Sequence, residues 1–345
     1  METDALGTQY ETRTIALRPD AEGAVTATLV RRAADRPSDT AVLYLHGFVD
    51  YFFHPHVADF YAGKGFDFYA LDLRKYGRSL AAHQTPNFCA DLGEYYEEID
   101  EAIRLVRAAD GHSRVLLTGH STGGLVASLW AHDRRADGSV DALVLNSAFF
   151  DFNEPWFTRE VTGPITARVG RARPKTKLPF KLNPVYGESI HSSARGEWDY
   201  NLDWKPLAGF PIYAGWLHAV RSGHLRVHRG LDLQVPVLSA ASSASYKGKA
   251  GARRRARRIP CSMWTKSSAG RRGSGRWSRS RGSTAGCTTW RCRRRRPGSA
   301  TSTRSIVGSR PTCSRASPTI HSEAARSDLT HPGRADSGYA RHRTS

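Results

Sequence analysis

The strongest constraint in this sequence is the pentapeptide Gly-His-Ser-Thr-Gly at residues 119–123, which lies between two apolar stretches. The preceding run, 115–118, predicts a buried strand, and the following run, 125–130, predicts a helix. Glycines two residues before and two residues after Ser121 leave room for the strand and the helix to approach each other closely. The spacing therefore predicts a nucleophile elbow, a sharp strand-to-helix turn that exposes Ser121 at its apex.

Other short apolar runs alternate with helical patterns along the first 238 residues. Two β-prone runs, 12–17 and 24–31, predict an opening hairpin, and the amphipathic pattern of 91–109 predicts a helix that buries one face. Continuous apolar runs are typical of parallel strands, which are buried on both faces of a sheet. The fold class predicted is therefore α/β, a mostly parallel sheet flanked by helices. The runs assigned to its strands are 41–45, 66–71, 115–118, 142–146 and 235–238.

Residues 149–230 differ from the rest because they are rich in Trp, Tyr, Phe and Pro and have no strand periodicity. Two interpretations are open. The segment is either a second helical subdomain with its own core, or a cap that lies over Ser121 and supplies an apolar substrate pocket. We divide the chain accordingly into a core (1–148), a helical cap or lid (149–230), a return strand of the core (231–249) and a basic tail (250–345).

Four pieces of the sequence together resemble the α/β-hydrolase superfamily, in the order in which that family has them. They are His46-Gly47-Phe48, the Asp72-x-Arg74-x-x-Gly77-x-Ser79 stretch, residues 119–123, and the aromatic segment before 235–238. The chain is similar to cytoplasmic serine hydrolases of the monoacylglycerol lipase and lysophospholipase type, also grouped as serine aminopeptidase S33-like. The resemblance implies a carboxylic ester hydrolase that acts on a small, lipid-like ester and needs neither a cofactor nor a metal.

The resemblance also implies a role for each residue of the turn. Ser121 would be the catalytic nucleophile, activated by a histidine that a carboxylate holds in place. The backbone N–H groups of Phe48 and Thr122 would form the oxyanion hole. The remaining elbow residues would be Gly119, His120 and Gly123.

Two further features of the family pattern are expected to be structural. His46 should brace the oxyanion loop rather than take part in chemistry. Asp72 and Arg74 should form a structural ion pair. Metal binding by His54 and His56, which flank a proline at a helix start, is not expected.

The acid and the base of a catalytic triad are missing where the resemblance places them. In this fold the acid follows the strand after the cap, and the histidine follows one further strand. No histidine occurs between His228 and His321, and the alternation of strands and helices stops after Leu238. The chain is therefore expected to be catalytically defective, unless it is an intact hydrolase that uses Asp151 as its acid with a distant histidine.

The composition changes abruptly in the same region. Residues 1–238 carry 26 Lys and Arg against 29 Asp and Glu, whereas residues 239–345 carry 25 against 3. A basic, low-complexity tail is typical of disorder and would suit a non-enzymatic module that binds nucleic acid. Its aromatic residues are too few and irregular for a base-stacking platform, so no specific nucleic-acid partner is expected. Four of the five cysteines lie there without a Cys-x-x-Cys pair, so no zinc site is predicted.

Translation in a shifted reading frame is the alternative interpretation of the tail, and the one we favour. Met and Trp have single codons, so Met-Trp-Thr at 263–265 must be encoded by ATG-TGG-ACN. Starting each codon on the third base gives GTG-GAC, which is Val-Asp. The same frame permits Gly-Gly-Met-His-Asp-Leu around 285–290 and Phe-Asp-Glu-Ile-Asp across 301–307. A shift between 238 and 262 would thus supply an acid, then a histidine, then a helix, in the family's order.

The first two thirds of the sequence contain no signal for export or membrane insertion. The N-terminus, 1–4, is acidic and lacks the apolar core of a signal peptide. No apolar run approaches the length of a membrane span. We therefore expect a cytoplasmic protein.

Overall fold

A computed structural model describes residues 6–152, 168–179 and 182–242 of the chain, together with the backbones of two strands further on. These strands are Arg276–Arg281 and Cys287–Arg293. The chain divides into two compact units, Met1–Arg296 and Pro297–Ser345. The second unit lies wholly outside the described residues, so every element below belongs to the first.

Strands and helices alternate through the first unit. The strands are β1 (Glu11–Asp20), β2 (Gly23–Arg32), β3 (Thr40–Leu45), β4 (Asp67–Asp72), β5 (Arg114–His120), β6 (Ala142–Asn146), β7 (Val237–Ser242), β8 (Arg276–Arg281) and β9 (Cys287–Arg293). The α-helices are α1 (Pro55–Gly63), α2 (Tyr96–Arg104), α3 (Thr122–Asp133), α4 (Val185–Ile190) and α5 (Ala214–Arg229). Within the described ranges, the helices fall short of the length and apolarity that a membrane span requires.

The strands form one sheet in the order β1-β2-β4-β3-β5-β6-β7-β9-β8. Its centre, from β4 to β7, is parallel. An antiparallel pair lies at each edge, the predicted hairpin β1–β2 on one side and β9–β8 on the other. The predicted α/β fold class, a mostly parallel sheet flanked by helices, is therefore confirmed.

The register of the central strands determines where a site can form. All six residues of β4 are buried, as expected for a strand covered on both faces. Leu45 at the end of β3 pairs with Gly119 of β5, and His120 pairs with Asn146 at the end of β6. The carboxyl ends of β3, β5 and β6 therefore lie side by side. Open α/β sheets bind their ligands at this end of the strands.

The helix predicted over 91–109 has three parts. A 3₁₀ turn, Leu92–Tyr95, begins it, and Asp91 and Glu94 form a capping box there. The central part is α2, whose apolar side is buried, and a π-helical turn, Leu105–Ala109, ends it. The predicted amphipathic helix is thus present, but its first and last turns depart from α-helical geometry.

The described part of 149–230 packs on the sheet. Trp216, Leu217 and Val220 of α5 belong to the same buried cluster as Leu117 of β5. A smaller cluster joins Tyr200 to Tyr51 and Phe53, which follow β3. The described part of 149–230 therefore shares buried clusters with the sheet, and its assignment as a cap over Ser121 stays a prediction.

The predicted basic tail, 250–345, is described only at two strands. β8 and β9 pair with each other, and β9 pairs antiparallel with β7. The sequence predicts disorder throughout this region, so these two strands differ from that expectation. The rest of the tail, including 263–265 on which the shifted-frame interpretation depends, lies outside the described residues.

Limited proteolysis distinguishes the two descriptions of the tail. If the tail is translated out of frame, a protease should trim the chain back to about Leu238, because too few apolar residues follow to form a protected core. The mass of the limit fragment gives its end. A resistant fragment that extends well beyond residue 260 would contradict the disordered tail, and one that extends beyond residue 293 would also support β8 and β9 as stable strands.

Candidate active site

Ser121 lies at the predicted turn between β5 and α3, in a conformation that few residues other than glycine adopt. Its backbone has φ +52° and ψ −118°, which is a strained region for a residue with a Cβ. Neighbouring segments hold it there. The Ser121 N–H donates to the Asn146 carbonyl at 3.1 Å, and the Ser121 carbonyl accepts from the N–H groups of Gly124 and Phe149 at 3.0 and 2.9 Å.

The two glycines of the pentapeptide occupy positions with no room for a side chain. A Cβ added to Gly119 would lie 2.6 Å from the carbonyl oxygen of Gly123. A Cβ added to Gly123 would clash with the carbonyl oxygens of Leu45 and His46 at the end of β3. Because the obstructing atoms are backbone, neither clash can be relieved by a side-chain rotation. This close approach of strand and helix is the reason predicted for the small residues.

Gly123→Ala should therefore destabilise the protein by about 1–3 kcal/mol or more, the usual cost of overpacking against atoms that cannot move aside. Chemical denaturation measures the change. Gly63→Ala is the matched control, because a Cβ there would meet Asp35 Oδ2 at 3.9 Å, an ordinary contact distance. The control should change stability by less than about 0.5 kcal/mol. Equal effects of the two substitutions would contradict the tight contact at Gly123.

The loop after β3, residues 46–53, passes directly beside Ser121. A Cβ added to Gly47 would lie 3.2 Å from the Ser121 Cβ. Phe48 follows, and its ring stacks on Trp216 of α5 with 3.8 Å between the ring centroids. The Phe48 N–H is bonded to Gly47, which lies close to Ser121. Thr122 follows Ser121 directly and is the first residue of α3. The assignment of these two residues to an oxyanion hole stays a prediction.

His46 uses both ring nitrogens within the protein. Its Nδ1 lies 2.8 Å from the Gly47 carbonyl, and its Nε2 accepts from the Leu73 N–H at 3.0 Å. Burial lowers the pKa of the imidazole, so the ring is neutral at pH 7, with the proton on Nδ1. Because the basic lone pair of Nε2 accepts from a backbone N–H rather than facing Ser121, these contacts agree with the predicted bracing role.

Asp72 and Arg74 do not form the predicted ion pair with each other. Asp72 accepts from the Phe52 N–H at 2.9 Å and pairs with Arg78 at 2.6 Å. Arg74 instead pairs with Glu98 of α2 at 2.7 Å. The physical reason is that Asp72 ends β4 beside loop 46–53, whereas Arg74, two residues later, contacts the helix that covers the sheet. Both residues are structural, but with other partners.

A buried lysine from the cap segment reaches the same loop. The Nζ of Lys205 lies 2.8 Å from Asp50 Oδ1 and 3.0 Å from the Val49 carbonyl. The other carboxylate oxygen of Asp50 lies 3.8 Å from Nδ1 of His120, the residue before Ser121. Burial raises the pKa of Asp50, but the Lys205 ammonium and His120 outweigh burial and hold the pKa below its ordinary value. Asp50 is therefore ionised at pH 7.

Sequence reasoning did not find Asp50 or Lys205. The two are 155 residues apart, and neither belongs to a recognisable spacing. The one local signal is that Lys205 is a lone lysine after an aromatic run containing Trp198, Tyr200 and Trp204. A lysine in such surroundings is a candidate for burial with a carboxylate partner.

The acid and base expected for Ser121 are not found among the described residues. Within these ranges no imidazole hydrogen-bonds the Ser121 hydroxyl. His224 is linked to Ser121 only through the backbone of Phe149. Its Nε2 lies 2.8 Å from the Phe149 carbonyl, and the Phe149 N–H donates to the Ser121 carbonyl. Burial lowers the pKa of His224 to about 4. Asp151, the alternative acid, is buried and accepts from the Phe152 N–H at 2.8 Å.

The region where the resemblance places the acid and the histidine begins after β7, and residues 243–275 lie outside the described residues.

Within the described ranges, no group of three or more His, Cys, Asp or Glu side chains has the arrangement needed to hold a metal ion. His54 and His56 contact aromatic rings, and the two rings lie 6.1 Å apart.

Comparison with known proteins identifies the family. The family model described as serine aminopeptidase, S33, matches residues 36–244. A lipase solved in an open form has 15% identity and a TM-score of 0.50, over 66% of this chain and 78% of the lipase. A soluble variant of monoglyceride lipase from Saccharomyces cerevisiae has 14% identity and a TM-score of 0.49, over 66% and 72%.

A monoacylglycerol lipase from Paleococcus ferrophilus has 21% identity and a TM-score of 0.47, over 61% of this chain and 75% of that protein. No curated protein matches the sequence significantly. The family match covers more than half of the chain and includes β3 to β7, the pentapeptide and the described cap segment. The chain belongs to the serine aminopeptidase S33 family and has the α/β-hydrolase fold.

Proposed function

We propose that this fold is built for hydrolysis of small, lipid-like carboxylic esters, with Ser121 as the nucleophile. The observation that carries the proposal is the strained Ser121 backbone at φ +52°, at the junction of β5 and α3. A strained residue that its surroundings over-determine is typical of functional sites. The solved lipases named above share the fold, and their substrate class is consistent with this choice.

The chemistry would follow the serine hydrolase scheme. The Ser121 Oγ attacks the ester carbonyl carbon, its proton passes to a histidine base, and the alcohol leaves with that proton. Water then hydrolyses the acyl-enzyme by the reverse sequence and releases the acid. Each half-reaction places a negative charge on the carbonyl oxygen, so donors must already point to that position.

The backbone N–H groups of Phe48 and Thr122 are the donors that we propose. Thr122 is the first residue of α3, and the N-terminus of a helix favours negative charge. Phe48 follows Gly47, the residue in near contact with the Ser121 Cβ. The side chains of Phe48 and Trp216, which stack on each other, would contribute an apolar wall for the acyl chain.

We further propose that this chain lacks the acid and base because its reading frame shifts after about Leu238. Ser121 would then keep its proton at neutral pH, and acyl transfer would lack the general base that makes the hydroxyl a nucleophile. The chain as it stands would be a hydrolase scaffold with a complete elbow and an incomplete triad. The rival, an intact enzyme that uses Asp151, predicts ordinary activity without any repair.

Substrate class is tested with a set of chromogenic substrates on the protein with its frame restored. We expect hydrolysis of p-nitrophenyl esters of medium acyl length and little turnover of amino-acid p-nitroanilides, because the proposed pocket is apolar. Ser121→Ala should abolish the ester reaction. Faster cleavage of an aminoacyl anilide than of any ester would favour a peptidase instead. Ester hydrolysis that survives Ser121→Ala would contradict the nucleophile.

A further inference from the structure

Loop 46–53, which carries the proposed oxyanion donor, is held at both ends by residues of the core. At its start, His46 binds the Leu73 N–H. At its end, the Phe52 N–H donates to Asp72 at 2.9 Å, and the Phe52 carbonyl accepts from Arg78 at 3.0 Å. The middle of the loop, Val49 and Asp50, is held from outside the core.

Lys205 is the residue that holds the middle. Its side chain is only 5% exposed, and its Nζ donates to the Val49 carbonyl at 3.0 Å and to Asp50 at 2.8 Å. The ammonium also lies 5.4 to 5.6 Å from the ring centroids of Phe53, Tyr186 and Tyr200. At these distances aromatic faces stabilise a cation, and they exclude water from it. Lys205 is therefore a buried cation with a fixed position.

The loop needs this contact because Val49 has an unfavourable backbone conformation. Its φ is +49°, which is rare for a β-branched residue and persists only where surrounding contacts enforce it. The hydrogen bond from Lys205 to the Val49 carbonyl is one such contact. A second contact to the loop, from the N–H of Asn201 to the Tyr51 hydroxyl at 2.8 Å, holds a side chain two residues further on. Both contacts come from the cap segment.

The same lysine is connected to the elbow through Asp50. One carboxylate oxygen of Asp50 contacts Lys205, and the other lies 3.8 Å from Nδ1 of His120. His120 is two residues before Thr122, and Val49 is one residue after Phe48. The two proposed oxyanion donors are therefore each within two residues of the Lys205–Asp50–His120 series.

We propose that Lys205 is a positioning residue, which fixes the loop through Val49 and Asp50 so that the Phe48 N–H points to the oxyanion position beside Ser121. The oxyanion part of this inference rests on the proposed function, whereas the fixing of the loop does not. A cap residue thereby controls the geometry of a catalytic loop in the core. Without the ammonium, Val49 should leave its positive φ. The peptide groups next to Val49 should then rotate, and the Phe48 N–H should lose its fixed direction.

Hydrogen exchange of the full chain tests the fixing of the loop directly. In Lys205→Met, amides 47–52 should exchange about tenfold faster or more, because local opening no longer breaks the Lys205 contacts. Amides of β5 and α2 should keep their rates. Lys175→Met is the matched control, since Lys175 is half-exposed and pairs with Glu22 of the β1–β2 turn, which keeps Lys75 as a second partner. It should leave amides 47–52 unchanged.

The double variant Asp50→Asn/Lys205→Met separates positioning from a merely structural ion pair. Removing both buried charges should restore much of the thermal stability that either single variant loses, since no unpaired charge remains. The Val49 carbonyl still lacks its donor, so fast exchange at 47–52 should persist. The inference is overturned if exchange is unchanged in Lys205→Met, or if the double variant returns it to the parental rate.

Kinetics of the frame-restored protein test the oxyanion part. Lys205→Met should lower kcat for a p-nitrophenyl ester about tenfold to a hundredfold with little change in KM, the signature of a transition-state contact. If the frame-restored parent shows no Ser121-dependent hydrolysis, the proposed function fails while the exchange result still stands. An unchanged kcat with faster exchange would reject the oxyanion role alone.

Discussion

Restoring the reading frame after about Leu238 is expected to raise ester hydrolysis by about 10⁴- to 10⁶-fold over the chain as it stands, the cost of losing triad members in serine hydrolases. The physical reason is that Ser121 without a positioned base keeps its proton, whatever the quality of the oxyanion hole. The measurement is kcat/KM for a medium-chain p-nitrophenyl ester, with the two proteins at equal concentration.

A control variant and a second readout accompany this comparison. Ser121→Ala in the restored protein should return the rate to that of the unrestored chain. The soluble yield should also rise. Strands encoded by the restored frame would pair with β7, complete the sheet and cover its exposed apolar residues. Hydrolysis by the unrestored chain at ordinary enzyme rates, abolished by Ser121→Ala, would contradict the shifted frame. A base within the present sequence, with Asp151 as its acid, would then be required.

Glu98→Ala is expected to produce a large loss of stability, because it removes one partner of a buried ion pair. Glu98 is fully buried in α2 and pairs with Arg74, whose side chain is only 6% exposed. Burial raises the pKa of Glu98, although Arg74 opposes that effect. Removing one partner of such a pair costs about 3–5 kcal/mol, because the other charge stays buried. Glu97 also contacts Arg74, at 2.9 Å, so the lower end of that range is expected.

Glu101→Ala is the matched control on the same helix. Glu101 pairs with Arg104 at the surface, where both side chains are partly exposed. An exposed pair contributes little, so the control should change the free energy of unfolding by less than about 1 kcal/mol. Urea denaturation measures both variants. Similar losses for Glu98→Ala and Glu101→Ala would contradict the structural importance of the buried pair.

The features that the sequence predicts well are those that depend on local patterns. The strands and the turn at Ser121 follow from apolar runs and from two glycines at fixed spacing, and the structure has strand β5 and helix α3 on either side of Ser121. The bracing contacts of His46 agree with its expected role. These features need no knowledge of which distant residues meet.

Features that depend on distant partners were missed or wrong. Asp72 and Arg74 are close in sequence, yet each pairs with a residue from another direction, Arg78 and Glu98 respectively. The contact between Asp50 and Lys205 depends on how the cap segment folds back on the loop after β3, which no local spacing encodes. The π-helical end of the 91–109 helix likewise has no simple sequence signal.

The most direct test of Ser121 as the nucleophile is covalent labelling of the frame-restored protein with an alkyl fluorophosphonate. Attack by the Ser121 Oγ forms an O–P bond and releases fluoride, so the protein gains the mass of one phosphonyl group. We predict a single adduct, which peptide mapping places on Ser121, in proportion to the loss of ester hydrolysis. Complete loss of hydrolysis with the adduct on another residue, or full hydrolysis by protein labelled at Ser121, would contradict this assignment.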